Sequence, residues 1–136
     1  MIAHQKKALL IFLGFLSLLV VLHFSKTPIF AQASVQRLPK EIAQIPLPKL
    51  LEFGANKCLP CKKMAPILQE LAEAYEGRVV IKMIEVYQEP GLTQANRIQR
   101  IPTQIFFDAQ NREFYRHIGF LDKEAIVKIF EKMGVK

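Results

Sequence analysis

The only two cysteines of the chain, Cys58 and Cys61, stand where a short apolar run gives way to an amphipathic repeat. Leu50-Leu51-Glu52-Phe53 reads as a buried strand that ends at Gly54. Beyond Cys61, the residues Met64, Ile67, Leu68, Leu71, Ala72 and Tyr75 recur at the spacing of one helix face. Gly77 offers a stop, and Pro66 is expected to kink the helix because it deletes a backbone hydrogen bond. A CxxC at such a junction puts its first sulfur at a helix N-terminus and its second about one turn further on, close enough to bridge. Unpaired N–H groups and the positive end of the helix dipole then favour a thiolate at Cys58, and Lys57 adds a positive charge. A thiolate is the form that attacks a disulfide. Pro60 is tolerated because first-turn N–H groups have no helical acceptor. Cys61 lies deeper and reads as the resolving thiol.

Other uses of a CxxC stay open at this point. Half of a zinc site needs further ligands, and with no second cysteine pair the obvious helpers are His117 and Glu52. A copper-handling protein passing Cu(I) on the two sulfurs is a second alternative. A non-catalytic binding module is a third. The redox reading is preferred because the motif lies between a strand and a helix. It assigns no metal and requires no cofactor.

The pattern continues along the chain. Val79–Val86 reads as a β-branched strand, and Pro90 opens a short helix through Leu92, Ala95 and Ile98. Thr103–Phe107 and Glu113–Ile118 form a hairpin around the turn Asp108-Ala109-Gln110-Asn111-Arg112. Asp122 can cap a last helix whose buried face is Ile126, Ile129, Phe130 and Met133. Tyr75, Tyr87 and Tyr115 read as packing residues, and His117 as a hairpin residue. The order predicts an α/β fold, with one central mixed sheet of about four strands flanked by helices. The first two strands are expected parallel, through a right-handed crossover, with Val79–Val86 nearer one edge.

The N-terminus reads as an export address. Residues 8–22, ALLIFLGFLSLLVVL, are apolar on every side and follow Lys6 and Lys7. Ala31-Gln32-Ala33 supplies small residues for cleavage before Ser34. The alternative is an uncleaved inner-membrane anchor over 8–24, which is short for a span. Both place the domain in the periplasm or another extracytoplasmic space. The division expected is residues 1–33 as signal peptide or anchor, 34–48 as a proline-rich tether, and 49–136 as the domain. Of the net charge of +7, residues 1–33 supply three lysines and no acid, leaving 16 basic and 12 acidic residues. The bases are scattered, so nucleic acid is not an expected partner.

Glu52-Phe53, Cys58-Leu59-Pro60-Cys61-Lys62, Ala65-Pro66-Ile67-Leu68, Ile101-Pro102-Thr103 and Gly119 follow one another in the order and spacing of the thioredoxin family. The resemblance covers about residues 49–133. It implies a thioredoxin-like fold and thiol–disulfide exchange, with Cys58 as nucleophile and Cys61 as resolving thiol. It further implies a cis Ile101–Pro102 bond that presents the backbone of Ile101 to an extended substrate. Glu52 stands where the family has a buried Asp, which implies a proton acceptor for Cys61, with Lys82 as its partner. The implied partners are disulfide-containing exported proteins and a membrane thiol electron donor, and the membrane itself if the N-terminal segment is uncleaved. Pro60 and Ile101 resemble the reducing members more than the oxidising ones. The sequence departs from the family in two respects. Lys57 replaces the aromatic residue before the first cysteine, and the chain has no Trp. The usual opening strand and helix are also expected to be shortened or missing.

Overall fold

The computed structural model describes residues 37–136. The expected signal or anchor segment lies outside the described residues. The elements are α1 (Lys40–Ala43), β1 (Lys49–Gly54), α2 (Leu59–Ala74), β2 (Val80–Glu85), α3 (Pro90–Ala95), β3 (Thr103–Phe107), β4 (Glu113–Ile118) and α4 (Lys123–Lys132). The four strands form one sheet in the order β2-β1-β3-β4. β1 runs parallel to β2 and antiparallel to β3, and β3 pairs antiparallel with β4. The sheet is therefore mixed, with β2 at one edge as expected. α2 continues through Pro66, and Asp122 caps α4 by accepting from the Ala125 N–H at 2.8 Å.

β1 is buried along its whole length because both its faces are covered. Alternate residues feed two separate cores. On one face Leu50 and Phe106 meet Met64, Leu68 and Leu71 of α2 and Ile126 and Phe130 of α4. Tyr75 and Phe130 pack edge to face with centroids 5.0 Å apart. On the other face Leu51, Phe53, Ile105 and Phe107 meet Ile84, Leu38 and Ile42. Each fully buried Leu, Ile or Phe contributes about 1.5–3 kcal/mol of transfer free energy, so both layers matter to stability. Tyr75 packs as expected, and Tyr115, 43% exposed, packs on one side only, near Phe106. Tyr87 does not, being 81% exposed.

The stretch read as a tether packs instead from Leu38 onward. Leu38 and Ile42 are buried, and α1 lies within this stretch. Proline-rich composition signals a chain without its own regular structure, but two apolar residues suffice to bind it to a sheet face. Polar contacts fasten it. Asn96 Nδ2 donates to the Arg37 carbonyl at 2.7 Å, and Asn111 Nδ2 donates to the Ala43 carbonyl at 2.8 Å. Arg37 pairs with Glu113. Lys49 is fully buried, and its Nζ donates to the carbonyls of Ile45 and Leu47, each at 2.7 Å. Among the described residues no strand precedes β1, and this segment covers one face in place of an opening strand and helix.

Candidate active site

Cys58 is the N-cap of α2, with extended backbone angles (φ −86°, ψ 111°) that let the chain turn out of β1 into the helix. Its N–H donates to the Ala55 carbonyl at 3.0 Å, which closes the turn. The Cys61 N–H points at Cys58 Sγ from 3.3 Å. Cys58 and Cys61 are joined by a disulfide, with Cα atoms 5.3 Å apart. Cys58 is partly exposed, whereas Cys61 is buried. The outer sulfur is thus the one an incoming disulfide reaches. On reduction, the Cys61 N–H and the helix dipole favour negative charge at Cys58.

Glu52 lies under the same helix. It is 3% exposed, and its Oε1 has no hydrogen-bond partner within the protein. Its closeness to Cys61 shows at Gly54. A Cβ placed on Gly54 would stand 2.6 Å from Glu52 Oε1 and 3.1 Å from the Cys61 Cβ. The missing side chain is what lets the carboxyl group and the buried cysteine share that space. Burial pushes the Glu52 carboxyl up to about 7, and the negative charge of Glu85 pushes in the same direction. A cleft of about 250 Å3 joins Glu52, Gly54, Cys61, Met83 and Glu85.

Lys82 does not accompany Glu52. The Cα partner of Glu52 on β2 is Met83, while Lys82 is paired with Leu51. Neighbouring residues of a strand point to opposite faces, so Lys82 faces away from the cleft. Its ion pair is with Glu41 of α1. The residue that does share the cleft from β2 is Glu85, the Cα partner of Gly54. Its Oε2 accepts from the Asn56 N–H at 2.8 Å.

The family model for thioredoxin matches residues 30–132. The chain belongs to the thioredoxin family. Thioredoxin of Staphylococcus aureus is 36% identical over 85 residues, covering 62% of this chain and 80% of that protein. Chloroplastic thioredoxin z superposes with a TM-score of 0.62 at 31% identity, covering 70% of this chain and 87% of that one. A malarial protein at 18% identity shares the fold, with a TM-score of 0.61 over 65% of this chain and 99% of that one. A thioredoxin-family chain with a disulfide between Cys58 and Cys61 is a thiol–disulfide oxidoreductase.

The thioredoxin signature also includes Ile101–Pro102, and this peptide bond is cis here. The Pro102 carbonyl accepts from the Gly119 N–H at 2.8 Å, tying the start of β3 to the end of β4. Gly119 has φ +108°, a backbone conformation that side-chain-bearing residues rarely adopt. Gln104, the Cα partner of Glu52 on β3, is fully buried, and its Nε2 contacts Met64 Sδ at 3.1 Å. Sequence reading passed over Glu85 and Gln104. The sequence carries no signal for them, because the register that aligns Gly54 with Glu85 and Glu52 with Gln104 is set by strand pairing. His117 sits on β4 as expected, with Nε2 3.2 Å from the Phe120 carbonyl. Among the described residues no group of three or more His, Cys, Asp or Glu is placed to hold a metal ion. None of their helices is long and apolar enough to cross a membrane.

Proposed function

We propose that this thioredoxin-family protein is exported and reduces or exchanges disulfides of extracytoplasmic proteins. The observation that carries the chemistry is the pairing of an outer sulfur at a helix N-cap with a buried sulfur beside a carboxyl group. In the reduced enzyme the Cys58 thiolate attacks a substrate disulfide. That bond breaks, one substrate sulfur leaves as a thiolate, and a mixed disulfide forms. The Cys61 thiol then gives its proton to the Glu52 carboxylate, and the Cys61 thiolate attacks Cys58 Sγ. The second substrate sulfur leaves, and two electrons have passed from the cysteine pair to the substrate. The backbone of Ile101 beside Pro102 receives the substrate in an extended form.

The reducing direction is supported by Pro60 before the second cysteine and Ile101 before Pro102, as in reducing thioredoxins. Export is supported by the charged start and apolar run of residues 1–33. A reductase on that side of the membrane needs a membrane thiol donor, which returns the Cys58–Cys61 disulfide to two thiols by the reverse exchange.

Cys61→Ser is expected to trap substrates on Cys58, because the resolving attack is lost while the first is kept. The check is a non-reducing gel of exported proteins from cells carrying the variant. Thiol-sensitive adducts support the reading, and their absence with the domain folded and Cys58 reactive overturns it. The reduction potential of the Cys58–Cys61 couple fixes the direction. A value well below that of the surrounding thiol pool supports a reductase, and one well above it supports an oxidase.

A further inference from the structure

Gly54 and Glu85 are Cα partners at the ends of β1 and β2, on the face that α2 covers. Gly54 contributes no side chain there, so the space above it is taken by Glu52 and Cys61, and Glu85 lines the same cleft. Two carboxyl groups therefore share one cleft with the resolving sulfur. They are not equivalent. Glu52 is buried, with an oxygen that bonds to nothing in the protein. Glu85 is half-exposed and is held at the cleft mouth by the Asn56 N–H.

The other groups facing Glu52 do not neutralise it. α2 contributes Cys61, and Lys62 at the exposed rim. β2 contributes Met83 besides Glu85, and β3 contributes the neutral amide of Gln104. Lys57 does not line this cleft; it lines an adjoining one with Asn56, Glu85, Tyr87 and Gln88, so it stands nearer Glu85 than Glu52 in the lining. Lys82 is on the opposite face of the sheet with Glu41. Of the charged side chains that line the cleft with Glu52, Lys62 and Glu85, the one whose charge bears on it is the acid.

We propose that Glu85 is a positioning residue for the proton on Glu52, controlling through its negative charge when Glu52 releases that proton and leading it out through the cleft to solvent. Its use in catalysis rests on the oxidoreductase reading above. During resolution the proton moves from Cys61 Sγ to a Glu52 carboxylate oxygen. It then passes through water in the cleft, past Glu85, to the bulk. A cleft of about 250 Å3 is roomy enough for such water. The departing substrate thiolate draws its own proton from solvent, so the balance closes without another reactant. Burial is the larger cause that keeps Glu52 protonated to higher pH, and the like charge at the mouth adds to it.

The test follows the Glu52 carboxyl carbon by NMR through a pH titration of the full-length chain labelled at glutamate. The signal is assigned by its loss in Glu52→Gln. Glu85→Gln keeps an acceptor for the Asn56 N–H and removes only the charge. It is expected to move the Glu52 midpoint to lower pH, and Glu85→Ala to move it likewise. Lys82→Met is expected to leave it in place. Turnover of a small peptide disulfide supplies a second readout. Its acid limb should shift with the midpoint in Glu85→Gln, and the same substitution in a Glu52→Gln background should leave the profile alone. An unmoved midpoint in Glu85→Gln overturns the proposal, as does a shift confined to Glu85→Ala, which would make Glu85 a loop anchor. An equal shift in Lys82→Met also overturns it. Absence of any disulfide turnover strikes the oxidoreductase reading and leaves the titration result standing, so the two failures are separable.

Discussion

Two faces of one strand bury charged side chains in opposite ways. On the face under α2, β1 places Glu52 with an oxygen that bonds to nothing in the protein, and Gln104 beside it likewise keeps an unpaired Oε1. On the face under the N-terminal segment, β1 places Lys49, which is just as buried but donates to two carbonyls at 2.7 Å. A buried polar atom without a partner costs about 1–3 kcal/mol, and the face under α2 carries two such atoms, Glu52 Oε1 and Gln104 Oε1, while Asn111 Oδ1 is a third beside the N-terminal segment. Lys49 ties the incoming chain to the sheet. Glu52 lies beside Cys61, and burial pushes its carboxyl up to about 7. The contrast sets a hydrogen-bonded buried cation on one face of the strand against an unpaired buried acid on the other.

Substitutions on either face test that division. The largest effect is expected from Ile42→Ala, which removes an anchor of the N-terminal segment and should lower stability by about 2–5 kcal/mol. Urea unfolding checks this, with disulfide exchange per folded molecule expected to stay unchanged. A wild-type midpoint would mean that the segment does not support the sheet.

Glu52→Gln is expected to act in the other direction and with a pH signature. The folded protein holds the Glu52 proton up to about 7, whereas an unfolded glutamate releases it near 4.5. Between those values the folded state binds more protons, so wild-type stability falls as pH rises through the window. The full loss is about 3 kcal/mol above the folded value. Glu52→Gln lacks that loss and should be the more stable protein at pH 8, with the advantage gone near pH 4.5. Thermal melts across this range would show parallel curves if Glu52 were an ordinary surface acid. The same variant is expected to slow resolution of the mixed disulfide at pH 8, because Cys61 loses its acceptor.

The smallest of the three is Lys49→Met, which leaves the Ile45 and Leu47 carbonyls without their donor while filling the same space. A loss of about 1–3 kcal/mol is expected, again by urea unfolding. The Glu52 titration should not move, since the two side chains lie on opposite faces. A coupled change would mean that the faces are not independent.

Much of the frame was legible in the sequence. The helix over Leu59–Ala74 followed from Met64, Leu68 and Leu71, the hairpin from Thr103–Phe107 and Glu113–Ile118, and the Asp122 cap from its place before an apolar repeat. These are local signals, set by side-chain periodicity over one or two turns. The cysteines and Pro102 were legible for a different reason, because their spacing matches a family pattern. What failed was side-specific. One residue of register puts Lys82 on the far face from Glu52, and Glu85, three residues along, is the β2 residue whose charge shares the cleft. The prolines of residues 34–48 signal a tether, whereas the burial of Leu38 and Ile42 depends on distant partners that no local pattern reveals.

The amino-acid order by itself determined the elements, their sequence along the chain, and the pair of sulfurs at the mouth of a helix. Tertiary structure alone decided which carboxylates face those sulfurs and which cation does not. The physical reason is that a strand's side chains alternate. Pairing two strands in one register rather than the next exchanges every neighbour across the sheet while leaving each strand's own pattern the same.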